Sequence, residues 1–371
     1  MPADTSRLVT LTGLHLFVEP AMQEDGLNEV FSMTTPNDSG AGGYGVIGGG
    51  AWGTALASVL ARRHAMPITL WVREDETLAS INQQHENVPF LPGVDLPENI
   101  IATQELATLA NCQTILMVAP AQFARPLVEQ LAPLMRDDAS LVLCAKGVER
   151  DSLKLMSQMA EDYIAPSQIA VLSGPSFAAD VARGLPTAVT LACRDAARGE
   201  KLCDEIGSSG FRPYLSDDII GAEIGGAIKN VLAIACGIVM GKQLGESARA
   251  ATTARGFVEM QRLGLALGAN NETLAGLSGL GDLILTCASP TSRNFSLGYG
   301  LGEGHSAEEI LGQRASVSEG AMSAHAVRLL AEKHNLDMPI CLAVDSILAG
   351  RESVDTAIAN LLARPLTNEG A

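Results

Sequence analysis

Three stretches of this chain carry side chains whose types and spacing could do chemistry. In Ile224-Gly-Gly-Ala-Ile-Lys-Asn-Val-Leu-Ala-Ile-Ala-Cys236, Lys229 stands among apolar residues with no acid three or four positions away. Desolvation disfavours the charged form of such a lysine and brings its pKa toward neutrality, which a general base acting on an alcohol requires. Gly225 and Gly226 fall on the same helical face one turn earlier and cost roughly 1 kcal/mol each against alanine. Their spacing predicts an opening above the lysine where a ligand lies. The competing reading is a lysine that packs its stem on the helix and extends its amine to water. In Ala275-Gly-Leu-Ser-Gly-Leu-Gly-Asp282, Asp282 follows a glycine-rich turn and opens an apolar helix. It either caps that helix or faces Lys229 and stabilises the protonated amine. After a Ser/Pro/Thr loop come Arg293 and Asn294, and a guanidinium beside an amide suits bidentate capture of a phosphate. A plain surface arginine is the alternative.

A fourth stretch points to a nucleotide. Tyr44-Gly-Val-Ile47 reads as a strand, Gly48-Gly-Gly-Ala-Trp-Gly53 as a turn, and Thr54 to Arg63 as a helix. This order is the dinucleotide fingerprint: Gly48 permits the tight turn, Gly50 the approach of the pyrophosphate, and Gly53 close packing of the helix. The helix N-terminus offers unpaired N–H groups to phosphates. Ile68 to Val72 reads as the second strand and ends at Arg73, followed by Glu74 and Asp75. Arginine there can hold a 2′-phosphate, while the adjacent acids keep the unphosphorylated ribose possible.

These residues need a frame. Further strands are expected at Thr114–Val118, Ser140–Cys144 and Ile169–Leu172, with helices over Phe123–Met135 and Ser152–Asp162 between them. Alternation of this kind predicts an α/β fold with a doubly wound, mainly parallel sheet of the Rossmann type. Ligands of such sheets lie beyond the strand carboxyl ends. Lys146 follows one such end, and Ser173-Gly174-Pro175-Ser176-Phe177-Ala178 follows another. That turn can aim N–H groups and a hydroxyl at an anion, or Ser176, with Asp180 nearby, can simply cap a helix. From about Asp218 the texture becomes Ala/Leu/Gly-rich and helical. The expected domains are a disordered extension over 1–40, a nucleotide-binding domain over 41–217 and an all-helical substrate and catalytic domain over 218–371.

Composition narrows the partners. The 371 residues are 47% hydrophobic, only 4% aromatic, and carry a formal net charge of −17. That charge argues against nucleic acid and anionic membrane surfaces, and requires that any phosphate site gather its cations locally. The seven scattered cysteines read as free thiols of a reducing compartment. The six histidines form no ligand cluster, so no metal is expected. Gly221–Met240 is long and apolar, but Glu223, Lys229 and Asn230 interrupt it, which fits a buried core helix better than a membrane span. The first forty residues are acidic and read as neither signal nor transit peptide, with Met33 a candidate start.

In order and spacing, these segments together resemble the bacterial NAD(P)-dependent glycerol-3-phosphate dehydrogenase family. The likeness runs from Tyr44 to about Leu362. It rests on Gly-Gly-Gly-Ala-Trp-Gly-Thr-Ala-Leu-Ala, Ala-Lys-Gly-Val-Glu, Ser-Gly-Pro-Ser-Phe-Ala, Gly-Gly-Ala-Ile-Lys-Asn-Val, Gly-Leu-Gly-Asp-Leu and Thr-Ser-Arg-Asn. The resemblance implies reversible hydride transfer between sn-glycerol 3-phosphate and dihydroxyacetone phosphate, using NADP or NAD, with Lys229 as proton acceptor and donor and Asp282 beside it. It implies substrate contacts from Lys146, Gly174, Ser176, Lys229, Asp282, Ser292, Arg293 and Asn294. It implies cofactor contacts from Trp52, Arg73, Lys146, Ala178, Arg293, Val317 and Glu319, added to the loop Gly48, Gly50, Ala51 and Gly53. The family loop usually reads Gly-Ala-Gly with Ser or Ala before the aromatic. Here Gly49 and Ala51 stand, and Ala51 can offer a phosphate only its backbone.

The expected protein is a cytoplasmic homodimer that takes a small phosphorylated substrate, inserts in no membrane and supplies glycerol 3-phosphate for phospholipid synthesis. Two other readings remain at this level. One is a two-domain dehydrogenase for another small hydroxy acid; the other is a non-catalytic NAD(H)-sensing module.

Overall fold

Ten strands, most of them short runs rich in Val, Ile and Leu, form in the computed structural model, which describes residues 42–312 and 319–365. They are β1 (Gly43–Ile47), β2 (Ile68–Trp71), β3 (Glu86–Asn87), β4 (Leu91–Asp95), β5 (Ile100–Thr103), β6 (Cys112–Met117), β7 (Ser140–Leu143), β8 (Ile169–Ser173), β9 (Thr187–Cys193) and β10 (Phe211–Ser216). The extension expected over 1–40, and Met33 within it, lie outside the described residues.

Eight strands form one sheet in the order β10-β9-β8-β7-β6-β1-β2-β5. Only β8 and β9 pair antiparallel in it. β3 and β4 make a separate antiparallel pair. The chain leaves β1 for β2 on one side and later returns to β6 on the other, with Ile47 level with both Trp71 and Met117. That reversal opens a crevice beyond the carboxyl end of β1, where such sheets bind ligands. Apolar side chains from both faces of the sheet make two core clusters, and the helical half makes a third.

The expected helix over 152–162 is only Met156–Ala160. The backbone ahead of it turns back instead: Glu149 N–H donates to Lys154 O at 2.9 Å, and Val148 bridges Leu155. Five strands were not foreseen: β5, β9, β10 and the β3–β4 hairpin. β4 and β10 contain Pro and exposed residues that blur the alternation.

After β10 the described residues form helices and their connections. Helix Ile219–Gly241 is nearly all buried and packs against helices Glu246–Ala266, Asp282–Ala288, Arg293–Gly302 and Glu319–Lys333. Asp218 starts it, accepting from Gly221 N–H at 2.8 Å and tying in Asn270 N–H at 2.8 Å. Its mean hydropathy of 1.7 over an 18-residue window would suit a membrane span, but 89% of that window is buried inside the protein. Close approach of helix Arg293–Gly302 rests on glycine. A Cβ on Gly298 would lie 1.9 Å from Ile234 O, and one on Gly237 would lie 2.0 Å from Phe295 O.

Candidate active site

Lys229 and Asp282 come together from different helices, and Lys146 joins them from the loop after β7. Lys146 Nζ donates to Asp282 Oδ2 at 2.6 Å and to Gly174 O at 3.2 Å. Lys229 Nζ donates to the other oxygen, Asp282 Oδ1. All three side chains are enclosed: Lys229 is 9%, Lys146 12% and Asp282 1% exposed. Asp282 is the first residue of its helix but caps nothing with its side chain, so of its two readings the structure takes the lysine partner. Lys229 likewise does not reach out to water.

The opening expected over Gly225 and Gly226 is absent, because protein fills it. A Cβ on Gly225 would lie 2.2 Å from Ser278 O. That glycine therefore admits the π-helical turn Leu277–Gly281, which delivers Asp282. At Gly226 a Cβ would meet the Lys146 stem at 3.2 Å and Ser173 Oγ at 3.3 Å. The paired glycines bring Lys229's charged neighbours close to it.

Burial sets the electrostatics. Desolvation lowers the Lys229 pKa to about 8, reinforced by the Lys146 charge and opposed by Asp282. Burial works against Lys146 too, but Asp282 outweighs it and holds that amine above the ordinary lysine value. Burial would raise Asp282, yet the two lysines keep its carboxyl below the usual range. One carboxylate thus serves two ammonium groups and leaves a local excess of positive charge. This is how an acidic protein can present a site for an anion.

The expected anion-binding residues flank this centre. Gly174 has φ +151°, and a Cβ there would lie 2.9 Å from Val189 Cα, so both conformation and space demand glycine. Ser176 Oγ donates to Gly174 O at 3.0 Å. It does not cap helix Ala178–Ala182, whose N-cap is Phe177. Arg293 and Asn294 do not extend the preceding loop; they begin helix Arg293–Gly302. Ser292 Oγ caps this helix by accepting Phe295 N–H. Arg293 is exposed. Asn294 is buried and donates to Asn230 Oδ1 at 2.9 Å while accepting Gly320 N–H at 3.0 Å. Asn230 in turn donates to Glu319 Oε2 at 3.3 Å. Burial raises the Glu319 pKa, restrained by the charges of Arg293, Lys146 and Lys229. Glu319 therefore belongs to the same electrostatic cluster.

Gly48, Gly50, Ala51, Trp52 and Gly53 form the turn from β1 into helix Ala51–Arg63. Gly48 has φ +123°, and a Cβ on Gly53 would overlap Gly48 O at 1.9 Å. Gly50, by contrast, is exposed with nothing within 4 Å of where its Cβ would be. Space there, a helix N-terminus with no side-chain cap, and the buried, unpartnered Trp52 Nε1 fit a dinucleotide's phosphates and ring. Ala178 is half-buried at the start of the helix following the Gly174 turn. Arg73 follows β2 with its side chain 73% exposed, paired to Glu74 at 2.7 Å. Val317 lies outside the described residues.

Sequence reading missed several supports. Asn230 was signalled only as one of the polar residues, with Glu223 and Lys229, that interrupt an apolar run. Thr286, one turn after Asp282, donates to Asp282 O at 2.7 Å. Gln122 and Arg125 on helix Ala121–Leu131 hold the Lys146 loop. Gln122 Nε2 donates to Val148 O at 2.7 Å, and Arg125 takes both Glu149 oxygens at 2.7 Å. A cavity of about 450 Å³ lined by Cys193, Arg194, Asp217 and Glu272 stands apart from all of these. Cys193 is level with Ala170, toward the start of β8, whereas the lysine site lies past that strand's carboxyl end.

Both halves of the chain match known proteins. Residues 44–198 match the family described as NAD-dependent glycerol-3-phosphate dehydrogenase N-terminus, and residues 218–359 match its C-terminus. The chain is 57% identical to a glycerol-3-phosphate dehydrogenase (NAD(P)+) of Parvibaculum lavamentivorans, over 87% of this chain and 97% of that one. It is 56% identical to the protein of the same description from Caulobacter vibrioides, over 88% and 98%. The crystal structure of glycerol-3-phosphate dehydrogenase from Coxiella burnetii superposes with a TM-score of 0.83 at 37% identity, covering 87% of this chain and 99% of that one. This chain belongs to the NAD-dependent glycerol-3-phosphate dehydrogenase family and is an NAD(P)-dependent oxidoreductase.

Proposed function

We propose that the chain interconverts sn-glycerol 3-phosphate and dihydroxyacetone phosphate, with Lys229 exchanging the proton of the C2 hydroxyl. The observation that carries this reading is a buried amine, with its pKa lowered to about 8, held by the carboxylate of Asp282. A group poised there accepts a proton from an alcohol near neutral pH and returns it in the reverse direction. NAD(P) held by the glycine-rich turn would supply the two-electron hydride chemistry of the reaction.

The other roles follow from position. Asp282 fixes the Lys229 amine in direction and stabilises its protonated form. Lys146 stays charged through the cycle and presents its positive charge to the substrate and to the cofactor phosphates. Arg293 and Asn294, with Ser292 capping their helix, suit the substrate phosphate; Gly174 and Ser176 line the other side. Binding of a phosphate remote from C2 helps to place the reacting carbon. The loop Gly48, Gly50, Ala51 and Gly53, with Trp52, Ala178, Val317 and Glu319, receives the cofactor, and Arg73 the ribose end.

In this reading residues 41–217 are the cofactor domain and 218–371 the catalytic domain. Reduction of dihydroxyacetone phosphate in the cytoplasm feeds phospholipid synthesis. A homodimer is the assembly proposed, on the prevalence of two-fold dimers. Light scattering tests that assembly.

The decisive experiment is dihydroxyacetone phosphate reduction by purified protein, followed by nicotinamide absorbance with NADPH and NADH, beside Lys229→Ala. Turnover by wild type, lost in a variant that still binds cofactor, is the expected result. Absence of turnover with either cofactor in folded wild type overturns the assignment.

A further inference from the structure

Asn87, in the β3–β4 hairpin, is fully buried, and its amide nitrogen donates to the glycine-rich turn and to the helix that follows it. Its Nδ2 donates to Gly49 O at 2.8 Å and to Thr54 Oγ1 at 2.7 Å. Its Oδ1 accepts Phe90 N–H at 3.3 Å. Gly49 and Thr54 lie on either side of Gly50, the one residue of the turn that faces open space. Thr54 is itself fully buried, in the first turn of helix Ala51–Arg63.

Besides close packing, the turn has few other hydrogen bonds among the described residues. Gly48 N–H donates to Trp71 O at 3.0 Å, and Thr54 N–H donates to Gly50 O at 3.0 Å. No side chain caps the helix. One amide outside the sheet therefore links the middle of the turn to the first turn of the helix, and this fixes where the unpaired N–H groups at Gly50–Trp52 point. The hairpin is itself anchored, because Ser80 Oγ donates to Glu86 O at 2.6 Å and accepts Val88 N–H at 3.2 Å. A bond from a rigid neighbour that preorganises a phosphate-binding turn acts on affinity by removing an ordering cost.

We propose that Asn87 is a positioning residue for the dinucleotide: it holds the glycine-rich turn and the helix N-terminus in the geometry that receives the pyrophosphate. The inference rests on the reading of that turn as the cofactor site. Its effect falls on cofactor affinity, leaving the lysine chemistry past β7 and β8 alone.

The test is fluorescence titration of NADPH into wild type, Asn87→Ala, Thr54→Val and the double variant, with steady-state kinetics on each. Asn87→Ala is expected to raise the NADPH Kd about tenfold and Thr54→Val about threefold, the scale of one or two neutral hydrogen bonds. The double variant should bind no more weakly than Asn87→Ala alone, because the two share a bond. The KM for dihydroxyacetone phosphate should move less than about twofold, and loss confined to the KM for cofactor distinguishes positioning from general damage. Unchanged NADPH affinity in folded Asn87→Ala overturns the proposal, as does a parallel rise in the KM for dihydroxyacetone phosphate. If Asn87→Ala does not fold, Thr54→Val decides alone, with unchanged affinity again overturning it. Failure of wild type to bind either nicotinamide nucleotide would instead remove the reading of the turn.

Discussion

Lys146 and Lys229 donate to opposite oxygens of the same buried carboxylate, that of Asp282, so neither amine titrates alone. The arrangement separates their roles: Lys146 is held above the ordinary lysine value, and Lys229 is lowered to about 8. In the proposed reaction one lysine serves as a standing charge and the other as the proton carrier. The direction of each shift follows from burial weighed against Asp282, with Lys146 adding its repulsion only to Lys229.

The pH dependence of catalysis should therefore invert with direction. Oxidation of glycerol 3-phosphate needs Lys229 neutral, so kcat/KM should rise with pH and level off above about 8. Reduction of dihydroxyacetone phosphate needs it protonated, so that rate should fall across the same range. Profiles in both directions between about pH 6.5 and 9.5 check this. Parallel profiles would remove Lys229 as the group that exchanges the proton.

Replacing Asp282 by asparagine leaves two buried ammonium groups without their counter-charge. Removing one partner of a buried pair costs about 3–5 kcal/mol, and here two partners depend on the same residue. Loss of the carboxylate also lets desolvation lower Lys229 further and removes what holds Lys146 above the ordinary lysine value. The expected outcome is lower thermal stability and a fall in kcat on the order of 10²–10³-fold. The remaining pH profile should shift to lower pH. A variant with unaltered kcat would show that the carboxylate orients nothing of consequence.

Much of this site was legible because its chemistry is written in short local contrasts. A lysine and an aspartate inside apolar, glycine-rich helices are costly unless they have partners, and the partners proved to be each other. The strand–turn–helix around Gly48–Gly53 was legible for the same local reason. What could not be read were relations set by tertiary packing. Gly225 and Gly226 suggested room for a ligand, whereas Ser278 and the Lys146 stem occupy that room. Asn87 and Gln122 act through backbone carbonyls distant in sequence, and nothing in their immediate neighbours marks them. The helix expected over 152–162 shrank because Leu155 pairs with Val148, a contact that helical periodicity does not register.

Arg73 should set the choice between the two nicotinamide cofactors. Its guanidinium is exposed after β2 and held by Glu74, so a 2′-phosphate would compete with that carboxylate for it. Charge-assisted pairs of this kind are worth about 1.5–3 kcal/mol, less here for exposure. Arg73→Ala should thus raise the KM for NADPH by about threefold to tenfold and leave the KM for NADH nearly unchanged. Glu74→Gln should lower the KM for NADPH. Equal effects of Arg73→Ala on both cofactors would place the ribose end elsewhere.

Stability should fall as pH rises through the weakly acidic range, for a reason located outside the catalytic centre. Glu223, in the buried helix that carries Lys229, accepts Ser157 N–H at 2.7 Å and Ser157 Oγ at 2.6 Å. Burial nevertheless pushes its pKa from an ordinary 4.5 to about 7. Between those values the folded protein holds a proton that the unfolded chain has released, so this group's contribution is full below 4.5 and lost as pH rises through about 7. Glu223→Gln removes the titration and keeps the shape. Its carbonyl can still accept Ser157 N–H, and its amide can donate to Ser157 Oγ. Thermal midpoints of Glu223→Gln should therefore vary less with pH between about 5 and 7.5 than those of wild type. Above that range the variant should be at least as stable as wild type. Identical slopes would mean that Glu223 is already ionised in the folded protein across the whole range, with its two bonds to Ser157 outweighing burial.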